Sequence, residues 1–182
     1  MTFKTFLSTA TAIALGTAVY ATNPTVGGAP MLGERNIIEN AVNSPVHTTL
    51  VAAVKAADLV ETLQGPGPFT VFAPVNDAFA ALPAGTVETL LMPENKAMLQ
   101  KVLTAHVVAG DWSAADIIAA ARASKDGFYH FNAVSGDALS AQVKGNNVYI
   151  LDESGNAARV TVADVDQSNG VIHVINAVLV PK

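Results

Sequence analysis

The sequence predicts an α+β domain, and three observations carry that prediction. Apolar residues recur at helical spacing from Asn36 to about Ala121, while from Phe128 onward short apolar stretches alternate with Gly- and Asn-containing turns. Helical and strand periodicities that occupy separate blocks of a chain mark α+β architecture rather than alternating α/β units. The third observation is composition. With 182 residues, 51% hydrophobic and 14% charged, the chain is too apolar for disorder and of a length that suits one domain.

Residues 1–21, MTFKTFLSTATAIALGTAVYA, read as a signal peptide: Lys4 precedes an apolar run from Phe6 to Val19, and Val19-Tyr20-Ala21 offers a cleavage site after Ala21. The run is short for a membrane span and contains Ser8, Thr9, Thr11 and Thr17. Residues 22–35, rich in Pro and Gly, read as a flexible lead-in, and the domain proper is expected over 36–182. Asn36 with Glu39 three positions on forms a capping-box pattern. Ser44-Pro45 predicts the start of a second helix, whose core face would be Val46, Leu50, Ala53, Val54, Ala57 and Val60. Gly65-Pro66-Gly67-Pro68 ends it. Phe69–Ala73 reads as a buried strand, and Asn76 as the cap of a turn through Phe79 and Leu82. Helices follow over 86–91 and 93–103, then a turn toward strand over 105–108. Ser113 with Asp116 predicts a capped helix through Ala121. Leu139–Val143, Val148–Leu151 and Arg159–Ala163 read as strands separated by turns at 145–147 and 154–156, and Asn169-Gly170 forms the next turn. Val171–Val180 is apolar at both parities, as a strand covered on two faces requires.

Ten Lys and Arg against fifteen Asp and Glu give a net charge of −5, or −6 once Lys4 is removed with the signal. With only Lys96 and Lys101 as a basic patch, nucleic acid is not an expected partner. The absence of Cys excludes disulfides and thiolate chemistry. Beyond the signal no apolar stretch is long enough to cross a membrane. Nucleotide-binding glycine motifs, serine-hydrolase elbows and zinc-binding His pairs are absent. His47, His106, His130 and His173 lack metal-ligand spacing, so no metal or cofactor is expected. Asp164-x-Asp166-x-Ser168-Asn169-Gly170 lacks the Gly and Glu placement of an EF-hand loop. Asp152-Glu153 reads as a solvated turn, and Trp112 as the cover of a core edge, with a contact anchor as the sharper alternative.

Three segments resemble the fasciclin domain. Thr70-Val71-Phe72-Ala73-Pro74-Val75-Asn76-Asp77-Ala78-Phe79 is similar to its first signature box. Leu103-Thr104-Ala105-His106-Val107-Val108-Ala109-Gly110 resembles its central His-containing box. Asn169-Gly170-Val171-Ile172-His173-Val174-Ile175-Asn176, followed by Val178-Leu179-Val180-Pro181, resembles its second signature box. Val75, Ala105 and Asn176 depart from the usual hydroxyl residue, Tyr and Asp. Thr70, Phe72, Pro74, Asn76, Phe79, His106, Gly170 and His173 are read as fold-specifying residues of these boxes.

The resemblance implies a wedge of two β-sheets with helices packed around it, in a single monomeric domain. It also implies a secreted or periplasmic, non-enzymatic adhesion role, with a cell-surface or matrix protein or polysaccharide as partner. Asp164-Val165 matches an Asp-Ile pair that is linked to adhesion in some animal members. Together with His106 it makes Asp164, Val165 and His106 the candidate partner-binding residues. A carrier of a small apolar ligand, a pigment or lipid, is the alternative, and an exported hydrolase ranks last.

Overall fold

The computed structural model describes residues 23–181. The segment read as a signal peptide, 1–21, lies outside them. Seven strands make one sheet: β3 (Phe69–Pro74), β4 (Val107–Ala109), β5 (Phe128–Asn132), β6 (Ala138–Lys144), β7 (Asn147–Leu151), β8 (Ala157–Gln167) and β9 (Gly170–Ile175), in the order β4-β3-β9-β8-β7-β6-β5. Only β3 and β9 run parallel. The two sheets of the wedge are the halves of this one sheet. β8 belongs to both: residues 157–159 pair with β7, and its register then shifts twice against β9, between Val160 and Val162 and between Val162 and Val165. Such irregularities bend a strand, and the bend folds the sheet. Its two ends meet where Val134 N–H, just after β5, donates to the Val107 carbonyl of β4 at 2.7 Å.

The fold makes two cores from the two faces of β3 and β9. Val71, Ala73, Ile172 and Val174 face the helices α1 (Ile37–Asn43) and α2 (Thr48–Ala56), with α3 (Val60–Gln64) and α6 (Lys96–Thr104) beside them. Phe72 and Ile175 face inward with Leu139, Ala141, Ile150 and α7 (Ala114–Ala123). The apolar run at both parities of β9 follows from this double cover. The strand ends at Ile175 rather than Val180, because Leu179 turns its N–H inward to His106.

The remaining helices are α4 (Asn76–Ala80) and α5 (Thr86–Leu90). The capping boxes of α1 (Asn36 and Glu39) and α7 (Ser113 and Asp116) form as predicted. Three expectations are corrected. The lead-in is not flexible over its described part: β1 (Thr25–Val26) and β2 (Ala29–Pro30) form a hairpin around Gly27-Gly28, and Val26 and Met31 are buried. Burying each such side chain is worth about 1.5–3 kcal/mol, enough to order a short Gly turn. The second helix begins at Thr48, not at Pro45, since Ser44 Oγ bonds the His47 ring instead of capping. Asn76 does not cap its own helix. Its Oδ1 accepts from Thr49 N–H at 3.0 Å and from Thr48 Oγ1, and its amide donates to the Pro45 carbonyl, so it caps α2 from across the fold.

Candidate functional site

The two box histidines are locked in opposite tautomers. His106 Nε2 accepts Leu179 N–H at 2.9 Å, so Nδ1 carries the proton and donates to the Val102 carbonyl at 2.8 Å. His173 Nδ1 accepts Asp164 N–H at 3.3 Å, so Nε2 donates to the Trp112 carbonyl at 2.8 Å. Both rings are buried, and burial lowers both pKa values, that of His106 to about 4. Protonating His106 would set a donor against the Leu179 amide. The unfolded chain takes up this proton near pH 6.5 and the folded chain only near pH 4, so stability falls as pH drops through that window and levels off below it. A shift of this size is worth about 3 kcal/mol. Urea unfolding at a series of pH values between 7 and 4 is expected to show that loss, with a shallower slope in His106→Gln.

Asp164 stands at the bend of β8 with φ of +53° and an exposed side chain. Its Oδ1 accepts Ala114 N–H at 2.7 Å, at the start of α7, a placement that favours a carboxylate. Asp111, Asp116 and Asp166 are exposed nearby along α7's start and β8. The next residue, Val165, is fully buried in the helical core, and His106 is 3% exposed. Of the three candidate contact residues, only Asp164 reaches the surface. Val165 and His106 are buried and shape that surface only through the backbone they hold.

Trp112 covers the mouth of the inner core, half-buried, its ring 5.5 Å from that of Tyr129 and its Nε1 donating to the Ala109 carbonyl. Thr70 Oγ1 accepts Trp112 N–H and donates to the Gly110 carbonyl. Trp112 thus covers a core edge, as one of its two readings expected, and lies next to the Asp111–Asp164 surface.

Two arrangements are not visible in the sequence pattern. Asn169, read only as a turn residue, accepts Ile37 N–H at the start of α1 and donates to the Leu63 and Gly65 carbonyls at the end of α3. Asp152, read as solvated, is buried and accepts from Ser154, Asn156 and Val180. On the outer face of β5 and β6 the structure also aligns Asp126, His130 and Ser140, with His130 Nε2 2.9 Å from Asp126 Oδ2 and Nδ1 2.8 Å from Ser140 Oγ. Hydrogen bonds from Ser124, His130 and Phe128 N–H hold Asp126 well below the usual carboxylate range. Asp126 and His130 are more than half exposed on an open sheet face, where water competes for any developing charge.

An apolar cleft lies between the helices and β3, lined by Ile37, Leu50, Val54, Leu63, Leu103 and Val107, with Lys55 at its rim. Its free volume is about 30 Å³, room for a water molecule rather than a pigment. No group of three or more His, Asp or Glu residues suited to a metal occurs among the described residues.

The family model for the Fasciclin domain matches residues 45–181, three quarters of the chain. The chain belongs to the fasciclin family. Among its relatives, "Protein sll1483" of Synechocystis sp. is 54% identical over 145 residues, spanning 80% of this chain and 73% of that protein. Cell surface glycolipoprotein MPB83 of Mycobacterium bovis is 31% identical over 180 residues, spanning 93% and 72%. A solved FAS1 domain pair from the insect cell adhesion molecule Fasciclin I superposes with a TM-score of 0.70 at 18% identity, over 84% of this chain and 52% of that one. The chain thus spans about half of that domain pair, and the likeness establishes the fold. The fasciclin boxes map onto the geometry above: Thr70, Phe72, Pro74 and Phe79 into β3 and α4, Gly170 and His173 into β9, and His106 between α6 and β4. No helix among the described residues is long and apolar enough to cross a membrane.

Proposed function

We propose that this fasciclin domain is a non-enzymatic adhesion module, exported through the segment 1–21 to the periplasm or beyond. We further propose that it attaches to a cell-surface or matrix protein or polysaccharide through the acidic surface at Asp164. The observation that carries the reading is the exposed Asp164 carboxylate, fixed by the bend of β8 and by α7, with Asp111, Asp116 and Asp166 around it and Trp112 beside it. This is a rigid, charged platform with an aromatic neighbour, and Trp at such a rim is a common anchor of protein contacts. Membership of a family that includes a cell-surface glycolipoprotein and, by fold, a cell adhesion molecule supports the same reading. The carrier reading is less favoured, since a pigment would have to force the helices apart to enter the apolar cleft.

The test is attachment of the host's own cells to immobilised protein. Asp164→Asn keeps an oxygen acceptor for Ala114 N–H and tolerates the left-handed backbone, while it removes the charge. Attachment is expected to fall several-fold in this variant, while the lost charge at the start of α7 lowers the melting temperature by only a few degrees. Undiminished attachment by a folded Asp164→Asn protein would remove Asp164 from the contact, and no attachment by either protein would overturn the adhesion reading.

A further inference from the structure

Asn169 precedes Gly170, and no other asparagine in the sequence stands before a glycine. Glycine leaves its own nitrogen unshielded and its backbone free to rotate. In an open chain that nitrogen can therefore reach the amide carbon of the Asn169 side chain. The step is an intramolecular acyl transfer. The Gly170 nitrogen bonds to Asn169 Cγ, the Cγ–Nδ2 bond breaks, and the side-chain amide leaves as ammonia, taking the Gly170 amide proton with it. Water then opens the cyclic imide. Hydrolysis of the new Cγ–N bond leaves aspartate at 169. Hydrolysis of the original peptide bond leaves isoaspartate, whose main chain runs through Cβ and Cγ. Nothing is oxidised or reduced.

The fold pins the groups this reaction has to move. Asn169 Oδ1 accepts Ile37 N–H at 3.0 Å, and Nδ2 donates to the Leu63 carbonyl at 2.8 Å and to the Gly65 carbonyl at 3.1 Å. Its main-chain carbonyl, on the peptide bond to Gly170, accepts Phe69 N–H at 3.1 Å. Cγ cannot turn onto the Gly170 nitrogen without giving up all three side-chain bonds. We propose that Asn169 is a self-modification site, closed while the domain is folded and opened by unfolding, and that the modified chain does not refold. The same bonds explain the second half. A carboxylate at 169 has no proton for the Leu63 and Gly65 carbonyls, so oxygen would face oxygen where the end of α3, the start of α1 and β9 are joined. Isoaspartate is worse placed. It lengthens the main chain just before Gly170, where even a Cβ would stand 1.9 Å from the Phe69 carbonyl oxygen. It also turns the carbonyl that accepts Phe69 N–H into a free carboxylate. Prolonged unfolding of this domain is thereby made irreversible by chemistry as well as by aggregation. The inference holds whatever the domain binds.

The test is incubation of the purified protein at mildly alkaline pH, in buffer and in guanidinium chloride above the unfolding midpoint. Peptide mass spectrometry reads the exchange of ammonia for water at 169, and chromatography separates the aspartyl and isoaspartyl peptides. Conversion is expected to run about tenfold or more faster in denaturant, since the folded chain reacts only through its open fraction. After dilution from denaturant, the monomeric fraction with the native far-UV spectrum is expected to carry unmodified Asn169, and the modified chains are expected in the fraction that fails to refold. Asn169→Asp supplies the aspartyl product directly and is expected to unfold at a lower denaturant concentration than wild type or not to fold. Equal rates in buffer and denaturant, or no conversion in denaturant over days, would overturn the proposal. So would a refolded fraction as rich in modified chains as the starting mixture, or an Asn169→Asp protein with the wild-type midpoint.

Discussion

Gly170→Ala is expected to unfold the domain. Gly170 opens β9 with φ of +148°, and a Cβ there would stand 1.9 Å from the Phe69 carbonyl oxygen and 2.7 Å from the Phe69 nitrogen. Both are backbone atoms of the paired strand β3, so no side chain can swing aside to make room. Relief requires β3 and β9 to separate where they pair in parallel, and that pair is the wall shared by both cores. The cost exceeds about 4 kcal/mol, out of a total stability of order 5–15 kcal/mol. Gly136→Ala is the control: φ is also positive, at +92°, but a Cβ there meets nothing within 4 Å, so strain alone costs about 1 kcal/mol. Urea unfolding followed by far-UV circular dichroism separates the two, and equal midpoints would show that the close approach at Gly170 does not exist.

Phe72→Ala is expected to cost about 3–5 kcal/mol. Phe72 is 1% exposed, and its ring lies 6.0 Å from Phe131 and 5.7 Å from His173. It is the largest fully buried side chain of the inner core. The β-strand backbone around it cannot collapse into the vacated space without breaking the β4 and β9 ladders, so the cavity stays open and its cost remains. Phe72→Leu keeps most of the volume and is expected to lose less than half as much. Similar midpoints for the two variants in a denaturant series would mean that the core repacks around position 72.

Sequence legibility followed distance along the chain. The capping boxes at Asn36 and Ser113 were readable because donor and acceptor lie three residues apart. The double cover of β9 was readable from an apolar run at both parities that only His173 and Asn176 interrupt. Asn76 was read as a local cap, and it is a cap, but for a helix 27 residues upstream. Asn169 binds Ile37 across 132 positions, and nothing near either residue announces the other. The hairpin of the lead-in was missed because its Gly-Gly turn carries the signature of flexibility, while the two apolar residues that anchor it, Val26 and Met31, are too few to form a pattern. At the candidate site, Asp164 was found from the box that follows it. Its pairing with Ala114, and the burial of Val165 and His106, belong to tertiary contacts that periodicity does not encode.

The place of β9 in the sheet also decides how the domain meets mechanical load. β9 is the last strand in order among the described residues, yet it lies inside the sheet, with β3 on one side and β8 on the other. Tension applied beyond Ile175 cannot peel this strand from an edge one bond at a time. It must slide β9 along both neighbours at once, breaking two ladders in shear while Phe72, Val71, Val165 and their partners resist from both faces. A strand held on both sides in this way gives up its bonds together rather than in sequence.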